Sequence, residues 1–151
     1  MITVDRLYVR YDDTNILEDI NLNLPTGITC AVIGPSGCGK STLLNVLAGL
    51  QKNYQGLVQI NGENPSPEKQ TIGFIPQNYG LLPWLTVKEN ILLGLKIKKE
   101  AKQGLPQNLV DNLGLSNLLN RYPNNLSGGQ QQRVSLARAF ALKADLLLMD
   151  E

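Results

Sequence analysis

Residues 34–42, Gly34-Pro35-Ser36-Gly37-Cys38-Gly39-Lys40-Ser41-Thr42, set glycines, a lysine and a hydroxyl at the spacing G-x-x-x-x-G-K-[ST]. These are the residue types needed to enclose a phosphate. Glycines let the backbone turn tightly and bring its N–H groups onto an anion with no Cβ in the way. Lys40 supplies a compact positive charge for β- and γ-phosphates, and the Ser41 hydroxyl can ligate Mg²⁺. A helix starting just after Gly39 would aim its N-terminus at the same anion. Two other groups could join this chemistry. Asp150 and Glu151 follow an apolar run, and Leu126-Ser127-Gly128-Gly129-Gln130 is a second glycine-containing loop.

The elements that must position these groups can be read around them. Ile28-Thr29-Cys30-Ala31-Val32-Ile33 is a short apolar, β-branched run that predicts a buried parallel strand feeding the phosphate loop. Leu43, Val46, Leu47 and Leu50 follow the i, i+3, i+4, i+7 spacing of an amphipathic helix leaving it. Upstream, Ile2 and Val4, then Leu7, Val9 and Tyr11, alternate as a strand with an irregularity near Asp5-Arg6. A turn cluster at 12–15 and a second alternation through Ile20, Leu22 and Leu24 complete an antiparallel hairpin. Leu57-Val58-Gln59-Ile60 leads into the tight-turn pair Asn61-Gly62, and Ile72-Gly73-Phe74-Ile75 is a further strand ending at Pro76-Gln77.

Helical signals dominate from about 79. Thr86 with Glu89 spells a capping box for a helix through about Leu95, and Pro106 and Gly114 bracket another. Lys96, Lys98, Lys99 and Lys102 read as a solvated face. Ser127 and Gln130 spell a second capping box, opening a helix with Val134, Ala137, Phe140 and Ala141 at apolar positions. Leu146-Leu147-Leu148-Met149 reads as a central strand that delivers Asp150 and Glu151 at its C-terminal end, where open parallel sheets bind ligands.

Length and charge bound the possibilities. The 151 residues suffice for about one domain with a real core. Lysine and arginine total 14 against 13 acids, so no global field favours nucleic acid. Cys30 and Cys38 form neither a disulfide framework nor a metal pattern, which fits a reducing cytosol. The N-terminus lacks the features of a signal peptide, and no apolar run approaches the ~20 residues that span a bilayer.

Taken together, these motifs resemble the nucleotide-binding domain of ATP-binding cassette (ABC) transporters along essentially the whole chain. Leu-Ser-Gly-Gly-Gln at 126–130 looks like the family's signature motif, the most specific element of the resemblance. Gln77 looks like the Q-loop glutamine, Asp150 and Glu151 like Walker B, and Tyr11 occupies the position of the adenine-stacking aromatic. An edge tyrosine packing on its hairpin is the competing reading of Tyr11. Leu81-Leu82-Pro83-Trp84-Leu85-Thr86-Val87 is similar to the nitrate, sulfonate, taurine and thiamine-precursor importer group, with Trp84 either core or permease interface.

The resemblance implies an α/β fold: a P-loop NTPase with a RecA-like parallel sheet core, an N-terminal antiparallel β subdomain and an inserted helical subdomain. The α/β core would comprise 1–78 and 137–151, and the helical subdomain 79–136. It also implies ATP and Mg²⁺ as ligands. Residues 34–42 would hold the nucleotide, with Lys40 on the phosphates. Ser41, Gln77 and Asp150 would serve the metal, and Glu151 would be the general base. Ser127, Gly128, Gly129 and Gln130 would grip ATP on a facing subunit in a head-to-tail dimer. The expected partners are a second such subunit, an integral membrane permease and, indirectly, an extracytoplasmic solute-binding protein, with no nucleic acid. The expected place is the cytoplasmic face of the membrane. The alternatives are a soluble, non-transport ABC-type ATPase and an inactive nucleotide-binding fragment. Family members continue past Walker B to a switch histidine, whereas this sequence ends at Glu151 and has no histidine. It therefore reads as a piece lacking the C-terminal part of the core, whose own hydrolysis is expected to be weak or absent.

Overall fold

The alternating N-terminal residues form β1 (Ile2–Tyr11) and β2 (Thr14–Leu24), and β3 (Gln55–Ile60) follows the phosphate-loop region. The computed structural model describes residues 1–98 and 104–150. The chain divides into two units, residues 1–70 with Asp150, and residues 71–149.

In the first unit the three strands make an antiparallel sheet of order β2-β1-β3. The irregularity expected near Asp5-Arg6 is a real bulge. The β1–β2 register shifts between Val4 and Leu7, and Arg6 has φ +47°. Gly56 on β3 crosses this bulge with φ +97°, and a Cβ there would sit 2.1 Å from the Arg6 carbonyl oxygen. Only glycine allows that approach. Asn61 and Gly62 both have positive φ, as a tight hairpin turn of the primed type requires. Val4, Leu7, Val9, Leu17, Val58 and Ile60 are buried on one side, together with Leu43, Val46 and Leu47 of α1 (Lys40–Leu47).

Two expectations for this unit need correction. Residues 28–33 do not form a strand: they run without a ladder partner, and Ile33 is 91% exposed. A β-branched run has the right propensity, but a strand exists only where a neighbour takes up its N–H and C=O groups. Leu50 does not belong to the buried helix face. Helix α1 ends at Leu47, Gly49 turns the chain at φ +70°, and Leu50 is left exposed.

The second unit joins β4 (Ile72–Ile75) and β5 (Leu146–Met149) as a parallel pair, with Ile72 opposite Leu146 and Ile75 opposite Met149. Asp145 and Thr71 lock the start of this register. The Thr71 amide donates to Asp145 Oδ2 at 3.1 Å and the Asp145 amide to the Thr71 carbonyl at 2.8 Å. Three helices follow their sequence signals: α2 (Val87–Ile97), α3 (Gln107–Asn112) and α4 (Gly128–Ala141). Their apolar faces converge with Leu115, Leu118 and Leu126 of the segment between α3 and α4 in one core that includes Val87, Ile91, Leu95, Val110, Val134, Ala137 and Ala141. Both predicted capping boxes are present, Thr86 with Glu89 and Ser127 with Gln130.

Asn90 is fully buried in α2 and ties down the preceding loop. Its Oδ1 accepts from the Leu82 amide at 2.9 Å, and its Nδ2 lies within hydrogen-bond reach of the Leu82, Leu85 and Thr86 carbonyls at 3.1, 3.0 and 3.1 Å. Trp84 projects from this loop 69% exposed, which excludes the core alternative for it. Lys98 departs from the solvated face, because it is half-buried and its ammonium donates to the Thr71 hydroxyl. Lys99 and Lys102 lie outside the described residues.

Candidate nucleotide site

The phosphate loop is built from the backbone outward. Gly37 and Gly39 take φ of +82° and +93°. Space around Gly37 is open, whereas a Cβ on Gly39 would meet Leu17 Cδ2 at 2.6 Å and the Ile16 carbonyl oxygen at 2.9 Å. Gly39 thus serves two purposes, turning the loop and letting the start of α1 approach β2 closely. Helix α1 begins at Lys40, as the motif predicts, and its first-turn amides carry the partial positive charge that suits an anion.

Lys40 folds back over its own loop. Its ammonium donates to the carbonyls of Gly34 at 2.9 Å and Pro35 at 2.8 Å, and stands 4.0 Å from Cys38 Sγ. A neutral carbonyl holds an ammonium less strongly than a charged phosphate does, so a phosphate entering the loop competes well for this group. Next along the helix, the Ser41 hydroxyl donates to Asp150 Oδ1 at 3.1 Å, across 109 residues of sequence. The first unit therefore brings together the phosphate loop and one of the two terminal acids. A hydroxyl and a carboxylate side by side are hard oxygen donors of the kind Mg²⁺ takes. Among the described residues no cluster of three or more His, Cys, Asp or Glu is gathered into a protein-only metal cage.

The remaining candidates are distributed as follows. Tyr11 is exposed at the end of β1, opposite Thr14. Gln77 lies in the second unit just past β4, in a turn where the Tyr79 amide donates to the Pro76 carbonyl at 2.9 Å. Ser127 caps α4: its amide donates to Gln130 Oε1 at 2.9 Å, and the Gln130 amide reaches Ser127 Oγ at 3.4 Å. With those two side chains engaged in the cap, Gly128 and Gly129 form an exposed first turn without Cβ atoms. Glu151 lies outside the described residues.

The sequence reading missed three residues around this second group. Ser135 and Arg138 of α4 bond the Tyr79 and Gly80 carbonyls, and the Tyr79 hydroxyl lies 3.7 Å from where a Gly128 Cβ would stand. A charged residue on the apolar stretch of α4 was the available signal. Burial lowers the Arg138 pKa from its ordinary value.

With this geometry in place, comparison with known proteins is decisive. The family model described as ABC transporter matches residues 17–151. The chain belongs to the ABC transporter family. It is 45% identical over 148 residues to the sulfate/thiosulfate import ATP-binding protein CysA of Mycobacterium bovis, covering 94% of this chain and 42% of that protein. It is 43% identical over 157 residues to the taurine import ATP-binding protein TauB of Escherichia coli O157:H7, covering 100% of this chain and 60% of that protein. Among solved structures, an ATP-binding subunit of an ABC transporter superposes with a TM-score of 0.87 at 30% identity, covering 99% of this chain and 65% of that one. The dimeric ABC cassette MJ0796 bound to ADP and Pi superposes with a TM-score of 0.85 at 31% identity, covering 100% of this chain and 74% of that one. The ABC chain thus spans about half the length of the curated relatives it matches. Its fold is that of the α/β ABC ATPase cassettes, with an antiparallel N-terminal sheet and a parallel strand pair, and it covers part of that fold. No helix among the described residues is long and apolar enough to cross a membrane.

Proposed function

We propose that this chain is the nucleotide-binding part of an importer's ATPase subunit, binding Mg-ATP in residues 34–42 and coupling its hydrolysis to solute uptake through a membrane permease. The observation that carries this reading is the Ser41–Asp150 hydrogen bond of 3.1 Å at the base of the phosphate loop. It joins a hydroxyl and an acid that sequence separates but that metal-assisted phosphoryl transfer needs together. The importer part is supported by relatives whose names describe import ATP-binding proteins for sulfate/thiosulfate, taurine and aliphatic sulfonates.

In this reading the loop amides and the α1 N-terminus take the phosphate oxygens, and Lys40 leaves the Gly34 and Pro35 carbonyls for the β- and γ-phosphates. Ser41 and Asp150, with Gln77 as a further contact, would hold Mg²⁺, which would supply neutralisation of the phosphate charge. Gln77 orients the attacking water and Glu151 accepts its proton. Ser127, Gly128, Gly129 and Gln130 present a helix N-terminus to the γ-phosphate of a facing subunit, in a head-to-tail dimer. Tyr11 stacks on adenine. The helical section 79–136, between core sections 1–78 and 137–151, faces the permease on the cytoplasmic side. A solute-binding protein supplies cargo from outside.

The test is steady-state Mg-ATP hydrolysis and equilibrium ATP binding, measured beside Lys40→Ala. The reading predicts that the variant loses both nucleotide binding and any turnover the parent shows. Equal ATP binding by parent and variant would contradict it.

A further inference from the structure

The turn that carries Gln77 is held in an uncommon backbone conformation, and the groups that hold it come from α4. Tyr79 and Gly80 lie consecutively in the left-handed region, with φ of +63° and +58°. Glycine reaches it freely, but a bulky residue such as tyrosine needs its surroundings to impose it. Within the turn, the Gly80 amide donates to Asn78 Oδ1 at 3.2 Å. The stronger hold is external. Ser135 Oγ donates to the Tyr79 carbonyl at 2.8 Å, Arg138 Nη2 to the same carbonyl at 2.9 Å, and Arg138 Nη1 to the Gly80 carbonyl at 2.7 Å.

Two features mark this as more than helix-to-loop packing. Ser135 is fully buried and Arg138 mostly so, yet among the described residues no carboxylate pairs with Arg138. Removing a guanidinium from water is costly, and here its compensation is two charge-assisted bonds to the carbonyls of a strained turn. An apolar side chain would have packed α4 at less cost. The second feature is reach. The Tyr79 hydroxyl lies 3.7 Å from where a Cβ on Gly128 would stand, so the ring end of Tyr79 approaches the first turn of α4 while its carbonyl meets Ser135 and Arg138 further along.

We propose that Arg138, assisted by Ser135, is a positioning residue that fixes the Gln77 turn to α4, the helix capped by Ser127, so that Gln77 and residues 127–130 move as one body during nucleotide turnover. The inference rests on the roles proposed above for Gln77 and residues 127–130.

The experiment is a double-mutant cycle on the full protein, measuring kcat and KM for Mg-ATP in Arg138→Lys, Gln77→Ala and the double variant. Lysine keeps the charge but cannot fork onto two carbonyls. Arg138→Lys is expected to lower kcat about tenfold, with KM within about twofold of the parent. The double variant should be no slower than Gln77→Ala alone, because both changes remove one function. Ser135→Ala, which leaves Arg138 in place, should give a smaller kcat loss and the same non-additivity, so the test survives if the lysine variant unfolds. Losses that multiply in the double variants, or unchanged kcat in Arg138→Lys and Ser135→Ala while Gln77→Ala is impaired, would overturn the coupling alone. Full activity in Gln77→Ala would overturn the role assigned to Gln77, and the coupling with it.

Discussion

At the residue scale, the candidate site is built from groups that satisfy one another. Lys40 is held by two loop carbonyls and Ser41 by Asp150. In the proposed reading, an anion entering the loop competes with these short side-chain contacts. Asn90 does comparable work away from the nucleotide. It is fully buried and meets four backbone groups of residues 82–86. Asn90→Ala leaves those groups to find new partners and should cost about 3 kcal/mol of stability, checked by urea unfolding. A loss under about 1 kcal/mol would mean the loop is held by other means. Because Trp84 is the single tryptophan and sits on this loop, its fluorescence reports the same change directly.

At the element scale, helix ends were the most legible part of the sequence. Both capping boxes, the Asn61-Gly62 turn and the Asp5-Arg6 irregularity depend on chemistry within a few residues, so local reading suffices for them. Residues 28–33 were misread for the opposite reason. Their strand character depends on a neighbour far away in the chain, which propensity cannot supply. The Arg138 clamp was invisible for a similar reason, since its partners are carbonyls and any residue carries one. The Thr86 cap also sets a pH dependence. Bonds from the Thr86 backbone amide, then from its hydroxyl, lower the Glu89 pKa from its ordinary 4.5. A carboxylate whose folded pKa is depressed contributes stability that is complete above its unfolded pKa and lost as pH falls through the folded one. The prediction is an acid-side loss of stability, beginning near pH 4.5 and continuing below it. Glu89→Gln keeps an acceptor for the cap and should flatten that part of the profile in thermal unfolding followed against pH; an unchanged slope would contradict the assignment.

At the scale of the whole molecule, the family was readable because its markers are contiguous strings: residues 34–42, 126–130 and the acids after β5. The family model spans 17–151 and agrees with them. The sequence already set Ser41 and Asp150 to one task, through the rule that open parallel sheets bind ligands at the C-terminal ends of their strands, and the contact between the two is the geometry on which the proposed Mg²⁺ site rests. It is also the most direct point of test. ATP affinity should be measured with Mg²⁺ and with a chelator, in the parent and in Asp150→Asn. Mg²⁺ should strengthen binding in the parent, and this strengthening should be lost or cut about tenfold in the variant, while metal-free binding is unchanged. The same Mg²⁺ dependence in both proteins would contradict the site described here.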